Sequence, residues 1–338
     1  MRTVLATVLA TFIVFAGHLA VNAQDRPKVV IGNAALNPKV VPLWIAQEQG
    51  FFDKYNIDAK LVYIRSAPIV ISALTTGEIT AAFAAAGSSI LGAAASGAEI
   101  KLIAGFTSRV THDLVVGPHI LKPTDLRGKR FGVQSIGGSN WMNGMLALEY
   151  LGLEPRRDNI LILVVGDQSV LTQALEAGTI DAAVVDGIFS SRLQKRGFPI
   201  LQELFQADIP MTSMGIGVLK SYLNKYPEVS KNILKALIEG TAYSRSPLNK
   251  SVVIKTTMKH LKITDASTAE QGYKDIIKVL DRYPYATEKA MRNIQRLMKI
   301  HDPRVANVNV EDTLDDHLIK ELVQSGFIDQ VYKAYETK

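Results

Sequence analysis

An internal repeat is the sequence feature that most constrains the fold. Residues 73–82, Ala-Leu-Thr-Thr-Gly-Glu-Ile-Thr-Ala-Ala, return 101 positions later as residues 174–183, Ala-Leu-Glu-Ala-Gly-Thr-Ile-Asp-Ala-Ala. In each copy a helix is predicted to end at a glycine in the left-handed conformation, Gly77 or Gly178, and a buried strand follows at once. Further along the chain, residues 96–100 are similar to residues 196–200. The repeat predicts two similar units; the alternative is chance similarity between two alanine-rich segments.

Short β-like runs alternate with helical segments in both halves of the chain, which is typical of βαβ units on a parallel sheet. The runs of the first half are Lys28–Gly32, Ala59–Ile64, Ile79–Ala84 and Ile100–Phe106, with helices predicted at Val41–Gln49 and Ile69–Thr76. Those of the second half are Arg130–Val133, Ile160–Val165, Ile180–Val185 and Ile200–Phe205, with helices at Asn140–Leu151 and Ser169–Ala177. The predicted fold class is therefore α/β, with two Rossmann-like lobes.

Two β-like passages, His112–Gly117 and Met211–Leu219, are predicted to cross between the lobes as a hinge that bends near Gly117 and Gly215. This places lobe 1 at residues 24–114 and 215–338 and lobe 2 at residues 115–214. After the second crossing the chain is predicted to be mostly helical and to pack on lobe 1. The predicted helix boundaries are Pro227, a capping box at Ser267 and Glu270, a helix at Thr287–Lys299 and a last amphipathic helix at Leu314–Gln324.

The first 23 residues have the pattern of a secretory signal peptide. Arg2 precedes the apolar run Val4–Phe15, and the small-residue pattern that ends at Ala23 follows. We expect cleavage after Ala23 and export to the periplasm; retention as an anchor is the alternative. The formal net charge is only +6 and basic residues are dispersed, so nucleic acid is not an expected partner. The chain contains no cysteine, which excludes disulfides and a cysteine-linked lipid anchor.

The predicted binding site lies in the loops after the strands, because ligands of open α/β sheets bind beyond the carboxyl ends of the strands. These loops are small, polar and glycine-rich. Several of them open a helix, so Ser66, Ser88, Ser139 and Asn140 are suited either to cap that helix or to offer donors to an anion. Asp186 follows the repeated strand, where it would bond a ligand or cap the next helix. Trp141 would stack on a planar ligand or pack in the core.

The sequence contains only incomplete versions of known catalytic motifs. Gly132 and Gly137 have the spacing that begins a nucleotide-binding P-loop, but Gly138 stands where the required lysine belongs. A hydrolase nucleophile elbow built on Ser139 would need glycine at position 141, which is Trp141. The histidines show no metal-binding spacing and there is no thiol. No enzyme activity, metal or cofactor is therefore expected.

The residues from Val29 to about Val218 resemble the solute-binding proteins of nitrate, sulfonate and taurine importers, which share a fold with the thiamine-precursor (NMT1/THI5-like) family. The resemblance rests on the Leu74-x-x-Gly77-x-Ile79 repeat, on Gly137-Gly138-Ser139 and above all on residues 125–130, Asp-Leu-Arg-Gly-Lys-Arg. It implies a type II periplasmic binding protein that closes over its ligand and docks on an ATP-driven (ABC) permease, as a monomer. The positions that match the family's ligand loops are Asn33, Ser66, Gly87, Ser88, Ser135, Gly138, Ser139, Asn140 and Asp186.

Two alternatives to a free binding protein remain. The thiamine-precursor group includes a pyrimidine synthase on the same fold, but its cysteine-rich motif is absent from this sequence. The binding module of a sensor is the other, and it would be expected to continue beyond Lys338 into a membrane or kinase segment. Ligand identity stays open between an anion such as a sulfonate, nitrate or carboxylate, an aromatic acid and a pyrimidine or other amine-bearing molecule.

Overall fold

The computed structural model describes residues 26–85 and 87–336. The predicted signal peptide, residues 1–23, lies outside the described residues. The strands are β1 Lys28–Asn33, β2 Asp58–Tyr63, β3 Ala81–Phe83, β4 Ile100–Gly105, β5 Asp113–Val116, β6 Arg130–Val133, β7 Leu161–Val164, β8 Ala182–Val185, β9 Ile200–Glu203 and β10 Gly215–Leu219. The eight strands predicted in the two halves begin and end within two residues of observed strands, whereas the passage predicted at Met211–Leu219 forms a strand only from Gly215.

Helices connect and cover these strands. They are α1 Val41–Glu48, α2 Phe51–Lys54, α3 Ala67–Thr75, α4 Ser88–Ala94, α5 Ser139–Tyr150, α6 Gln168–Glu176, α7 Gly187–Gln194, α8 Lys220–Lys225, α9 Pro227–Arg245, α10 Lys250–Leu261, α11 Ala266–Val279, α12 Glu288–His301, α13 His317–Gln324 and α14 Phe327–Glu336. None of the helices in the described ranges is long and apolar enough to cross a bilayer.

The described strands form two five-stranded sheets with the same topology. The first has the order β2-β1-β3-β10-β4 and the second β7-β6-β8-β5-β9. In each sheet the first three strands in that order are parallel, and the fourth, β10 or β5, runs antiparallel to both its neighbours. Because β5 and β10 come from the two crossings, the chain passes between the sheets twice. The lobes defined by these sheets are called the first and second lobe below.

The repeated glycines have the backbone conformation that the sequence predicts. Gly77 and Gly178 follow α3 and α6 with φ of +79° and +66°, and their N–H groups bond back to the last turn of the helix, to Leu74 and Leu175. This conformation is strained for residues that carry a Cβ. The internal repeat therefore reflects one structural unit used once in each lobe.

The C-terminal helices pack on the first lobe and also reach the second. Helix α9 lies against α1 and α14 against α9, whereas α11 contacts α7 and α12 contacts α5. Where α1 and α9 meet, a Cβ added to Gly240 would lie 2.3 Å from the carbonyl oxygen of Pro42. The absence of a side chain at that position lets the two helices touch.

Two sequence predictions about these helices are wrong. The predicted capping box is not used, because Asp265 caps α11 by accepting hydrogen bonds from the backbone of Ser267 and Thr268 at 3.2 and 2.9 Å. A carboxylate two residues earlier satisfies both N–H groups, and Glu270 pairs with Lys250 instead. The helix predicted to be the last, Leu314–Gln324, corresponds to α13 and is followed by α14 after a turn at Gly326.

Candidate functional site

A small cavity lies between the two sheets, at the carboxyl ends of their parallel strands. Its volume is about 40 Å³. The lobes enclose it by contacting each other directly: the Gln134 amide of the second lobe donates to the carbonyls of Ala34 (3.1 Å) and Arg65 in the first. Ser89 of the first lobe donates to the carbonyl of Gly137 in the second, at 3.2 Å. The molecule is therefore in a closed arrangement.

Both lobes and both crossings supply the cavity wall. The first lobe contributes loops that follow β1, β2 and β3, the second contributes loops that follow β6 and β7 and the first turns of α5, and the crossings contribute His112, Ser213 and Met214. The polar side chains on the wall outside the crossings are Asn37, Lys39, Gln134, Ser135, Ser139, Asn140, Asn143 and Gln168. The site is thus assembled from segments that are far apart in the sequence.

A buried ion pair between Lys39 and Asp186 joins the lobes at the cavity wall. Asn37 accepts a hydrogen bond from the Lys39 backbone at 3.1 Å and so caps the short turn that carries this lysine. The Lys39 ammonium donates to Asp186 and, at 2.8 Å, to Thr111. The two charged side chains are only 2% and 3% exposed. Gln168 secures the carboxylate by donating to its Oδ2 at 2.7 Å.

The charge state of this cluster follows from burial and from its two ions. Burial opposes ionisation of Asp186, but the Lys39 charge together with the hydrogen bonds from Lys39 and Gln168 outweighs it, and the pKa of the carboxyl is lowered. Burial, reinforced by Lys39, lowers the pKa of His112 to about 3, so this imidazole is neutral at physiological pH. The Nε2 of His112 lies 3.7 Å from Asp186. The cluster is therefore one cation, one anion and one neutral ring.

The start of α5 forms the second lobe's side of the cavity. Gly138 is its N-cap residue and has no side chain, so the first turn is open to the cavity. The Asn140 side chain accepts from the Gln134 backbone at 3.1 Å and donates to the Val184 carbonyl at 3.0 Å. Asn140 therefore holds β6, β8 and α5 together. One turn on, Asn143 donates to the Ser139 carbonyl at 2.8 Å.

The structure brings four of the predicted ligand residues to the cavity wall, namely Ser135, Gly138, Ser139 and Asn140. Asp186 lies behind that wall, bonded to Lys39 and Gln168. Its side chain does not cap α7; instead, Asp275 of α11 accepts the N–H of Ile188 at 2.9 Å. The interpretation of Asp186 as a helix cap is therefore wrong, since the ion pair occupies its carboxylate.

The other five predicted ligand residues lie off the cavity wall. Asn33 donates to the Ala35 carbonyl at 2.9 Å, Ser66 begins α3, and Gly87 packs against Ile294 and Thr212. Ser88 and Trp141 line a separate surface groove of about 720 Å³ between α3, α4 and α12. Trp141 is 2% exposed and meets the His301 ring edge-on at 4.8 Å. Whether any of the ten predicted residues contacts ligand stays a prediction.

The cavity wall also carries residues that are not among the ten predicted ligand residues, and Lys39, His112, Asn143 and Gln168 are four of them. Lys39 follows the first strand's loop and Gln168 follows Asp167 at the start of a helix, so the rule that places ligands after strands covers both. The sequence pattern around His112 predicts the start of a crossing between the lobes and no metal site, so it does not indicate a cavity residue. Asn143 is one turn into α5, where no sequence signal separates a cavity side chain from a core one. No cluster of metal-ligating side chains occurs in the described parts of the chain.

The family model described as NMT1/THI5 like matches residues 37–247, more than half of the chain. The protein therefore belongs to the NMT1/THI5-like family. A sequence comparison with curated proteins finds no match.

Solved structures with the same fold include a protein of Bordetella bronchiseptica RB50, at 18% identity and a TM-score of 0.74 over 89% of this chain and 98% of that one. The alkanesulfonate-binding protein SsuA from Xanthomonas axonopodis pv. citri, bound to MOPS, is 18% identical, with a TM-score of 0.69 over 87% of this chain and 100% of that one. The periplasmic nitrate-binding protein NrtA from Synechocystis PCC 6803 is 15% identical, with a TM-score of 0.68 over 90% of each chain. The predicted family resemblance and the predicted two-lobed α/β binding-protein fold are confirmed.

Proposed function

We propose that this protein is the periplasmic solute-binding component of an ABC importer, and that it captures one small molecule between its lobes. The observation that carries the proposal is the cavity, which both lobes and both crossings enclose at the carboxyl ends of the strands. Ligand contacts to both lobes stabilise a closed arrangement relative to an open one. Proteins of the same fold that are described as binding sulfonates or nitrate support a binding role.

The expected cycle is hinge closure. In the open state the crossings between β4 and β5 and between β9 and β10 rotate, and the hydrogen bonds that Gln134 and Ser89 make across the lobes are broken. Closure on ligand remakes them, and the closed form is recognised by permease subunits in the inner membrane. A monomer is sufficient for this cycle, because a single chain supplies the whole cavity wall.

The test is ligand-induced stabilisation and compaction of residues 24–338. Melting temperatures and radii of gyration from X-ray scattering are measured against sulfonates, nitrate, carboxylates, amides, aromatic acids and pyrimidines. A ligand that binds only the native protein raises the melting temperature, and closure lowers the radius of gyration.

The variant Ser139→Leu fills the cavity and is expected to abolish both ligand effects. Ser221→Leu, an exposed serine in the first turn of α8, is the matched control and should respond like the unmodified protein. Turnover of a substrate by a protein that no small molecule stabilises would contradict the binding function.

A further inference from the structure

Two acceptor atoms in the cavity wall have no hydrogen-bond partner among the described residues. They are Nδ1 of His112 and Oδ1 of Asn143, in side chains that are 4% and 0% exposed. A buried polar atom without a partner costs about 1–3 kcal/mol, so such atoms in a ligand cavity indicate what the ligand supplies.

The hydrogen-bonding roles of both atoms follow from their neighbours. Asn143 donates its amide N–H to the Ser139 carbonyl, so its oxygen is the atom left over. Placing the proton of the neutral His112 ring on Nε2, which faces the Asp186 carboxylate at 3.7 Å, leaves Nδ1 as an acceptor. Both atoms therefore require a donor, an N–H or O–H group, from the ligand.

The cavity wall also offers donors for one ligand oxygen. Within the described residues the Lys39 ammonium uses two of its three N–H bonds, on Thr111 and Asp186. The first turn of α5 also faces the cavity with backbone N–H groups. The site is thus complementary to a molecule that carries a carbonyl-type oxygen together with N–H donors.

The charges at the site select against ions. Lys39 is already neutralised by Asp186, so a bound anion would be desolvated at a site of no net charge. A ligand ammonium would lie near the Lys39 ammonium, whose repulsion of positive charge is one cause of the low pKa of His112. An uncharged ligand avoids both costs.

Resting on the proposed function, we infer that the ligand of this site is an uncharged amide-type molecule whose N–H groups bond His112 and Asn143 and whose carbonyl oxygen faces Lys39 and α5. The cavity of about 40 Å³ has room for roughly three water molecules. The amide group itself fits that space, and the lobes part to admit any larger substituent.

The experiment compares amides with the acids that match them in shape. Acetamide, propionamide and benzamide are titrated by calorimetry into residues 24–338, against acetate, propionate and benzoate, with nitrate, methanesulfonate and taurine as further ions. At least one amide is expected to bind at least tenfold more tightly than its matched acid. Asn143→Leu removes the acceptor and should weaken amide binding about tenfold, the effect of one hydrogen bond.

Controls separate this inference from a folding defect and from the proposed function. Asn143→Leu loses the hydrogen bond to the Ser139 carbonyl but also removes an unpaired buried oxygen, so its melting temperature without ligand should change little. His112→Phe is the second variant and should lose amide binding also. Tyr332→Phe removes another unpaired buried oxygen, remote from the cavity, and should bind as the unmodified protein does. Tighter binding of acids, nitrate or sulfonates would overturn the inference and leave the binding function standing. Absence of binding by every compound would count against both.

Discussion

At the residue scale, a buried ion pair lies at the wall of the cavity, and no local sequence pattern predicts it. Lys39 and Asp186 are 147 positions apart, and each follows a strand of a different lobe. A lysine in a polar loop is ordinarily solvated, so its place after a strand does not predict that it is buried against a carboxylate of the other lobe. The α5 start at Ser139 and Asn140 was predictable, because a glycine-rich loop between a strand and a helix is a local pattern.

Replacing Lys39 should lower the stability of the protein, because it leaves the buried Asp186 carboxylate without its partner. Lys39→Met leaves the Asp186 charge buried without its cation, and the free energy of unfolding should fall by about 3–5 kcal/mol. Adding Asp186→Leu should recover most of that loss, because two apolar side chains replace the pair. Chemical denaturation measures both. Lys220→Met is the matched control: its partner Glu99 is 72% exposed, and the change should cost no more than about 1 kcal/mol. Equal losses for the two single variants would contradict the role of burial.

At the scale of elements the glycines have distinct roles. Gly77 and Gly178 end helices with positive φ and have open space around their Cα atoms, and this role was read from the repeat because helix termination is local. Gly240 is inside α9 and lies against the backbone of α1, so its role depends on the packing of two helices. Nothing in the sequence around Gly240 distinguishes it from a weak point in a helix.

Alanine substitutions should have opposite signs at two helical glycines. Gly240→Ala places a Cβ within 2.3 Å of the Pro42 carbonyl oxygen, and forcing α1 and α9 apart should cost about 1–3 kcal/mol. Gly92→Ala in α4 meets only the flexible end of Met298, at 3.7 Å, and should stabilise by up to about 1 kcal/mol through helix propensity. The melting temperature should therefore fall for Gly240→Ala and rise for Gly92→Ala. A higher melting temperature for Gly240→Ala would show that α1 and α9 are not in tight contact.

At the scale of the whole molecule a carboxyl at the lobe interface couples closure to pH. Asp275 of α11 accepts the N–H of Ile188 in the second lobe. Burial, and then the Asp186 carboxylate, raise the pKa of Asp275 to about 7, although Gln271, Lys39 and the Ile188 N–H oppose this shift. We expect Asp275 to regain solvent when the lobes part, so that its pKa returns toward about 4. The closed form therefore binds a proton that the open form releases.

The closed population should fall as pH rises through about 7. The proton-linked contribution to closure is fully present below the ordinary carboxyl pKa of about 4 and is lost between that value and about 7. The radius of gyration of the ligand-free protein, measured from pH 5 to 8.5, should increase accordingly. Asp275→Asn stays neutral and can still accept the Ile188 N–H, so its radius should be nearly constant. An unchanged pH profile in that variant would assign the effect to another group.

The sequence by itself determined the two α/β lobes, the helix-ending glycines of the repeat, the family resemblance and the loops in which a site should be sought. Those features depend on periodicity, turn chemistry and helix ends, which involve neighbours a few positions apart. Only the tertiary structure decided that Lys39 is buried against Asp186, that His112 and Asn143 keep unpaired acceptors, and that Asp275 rather than Asp186 caps α7. Burial and pairing of charges depend on which surfaces meet when the lobes close, and no local pattern encodes that contact.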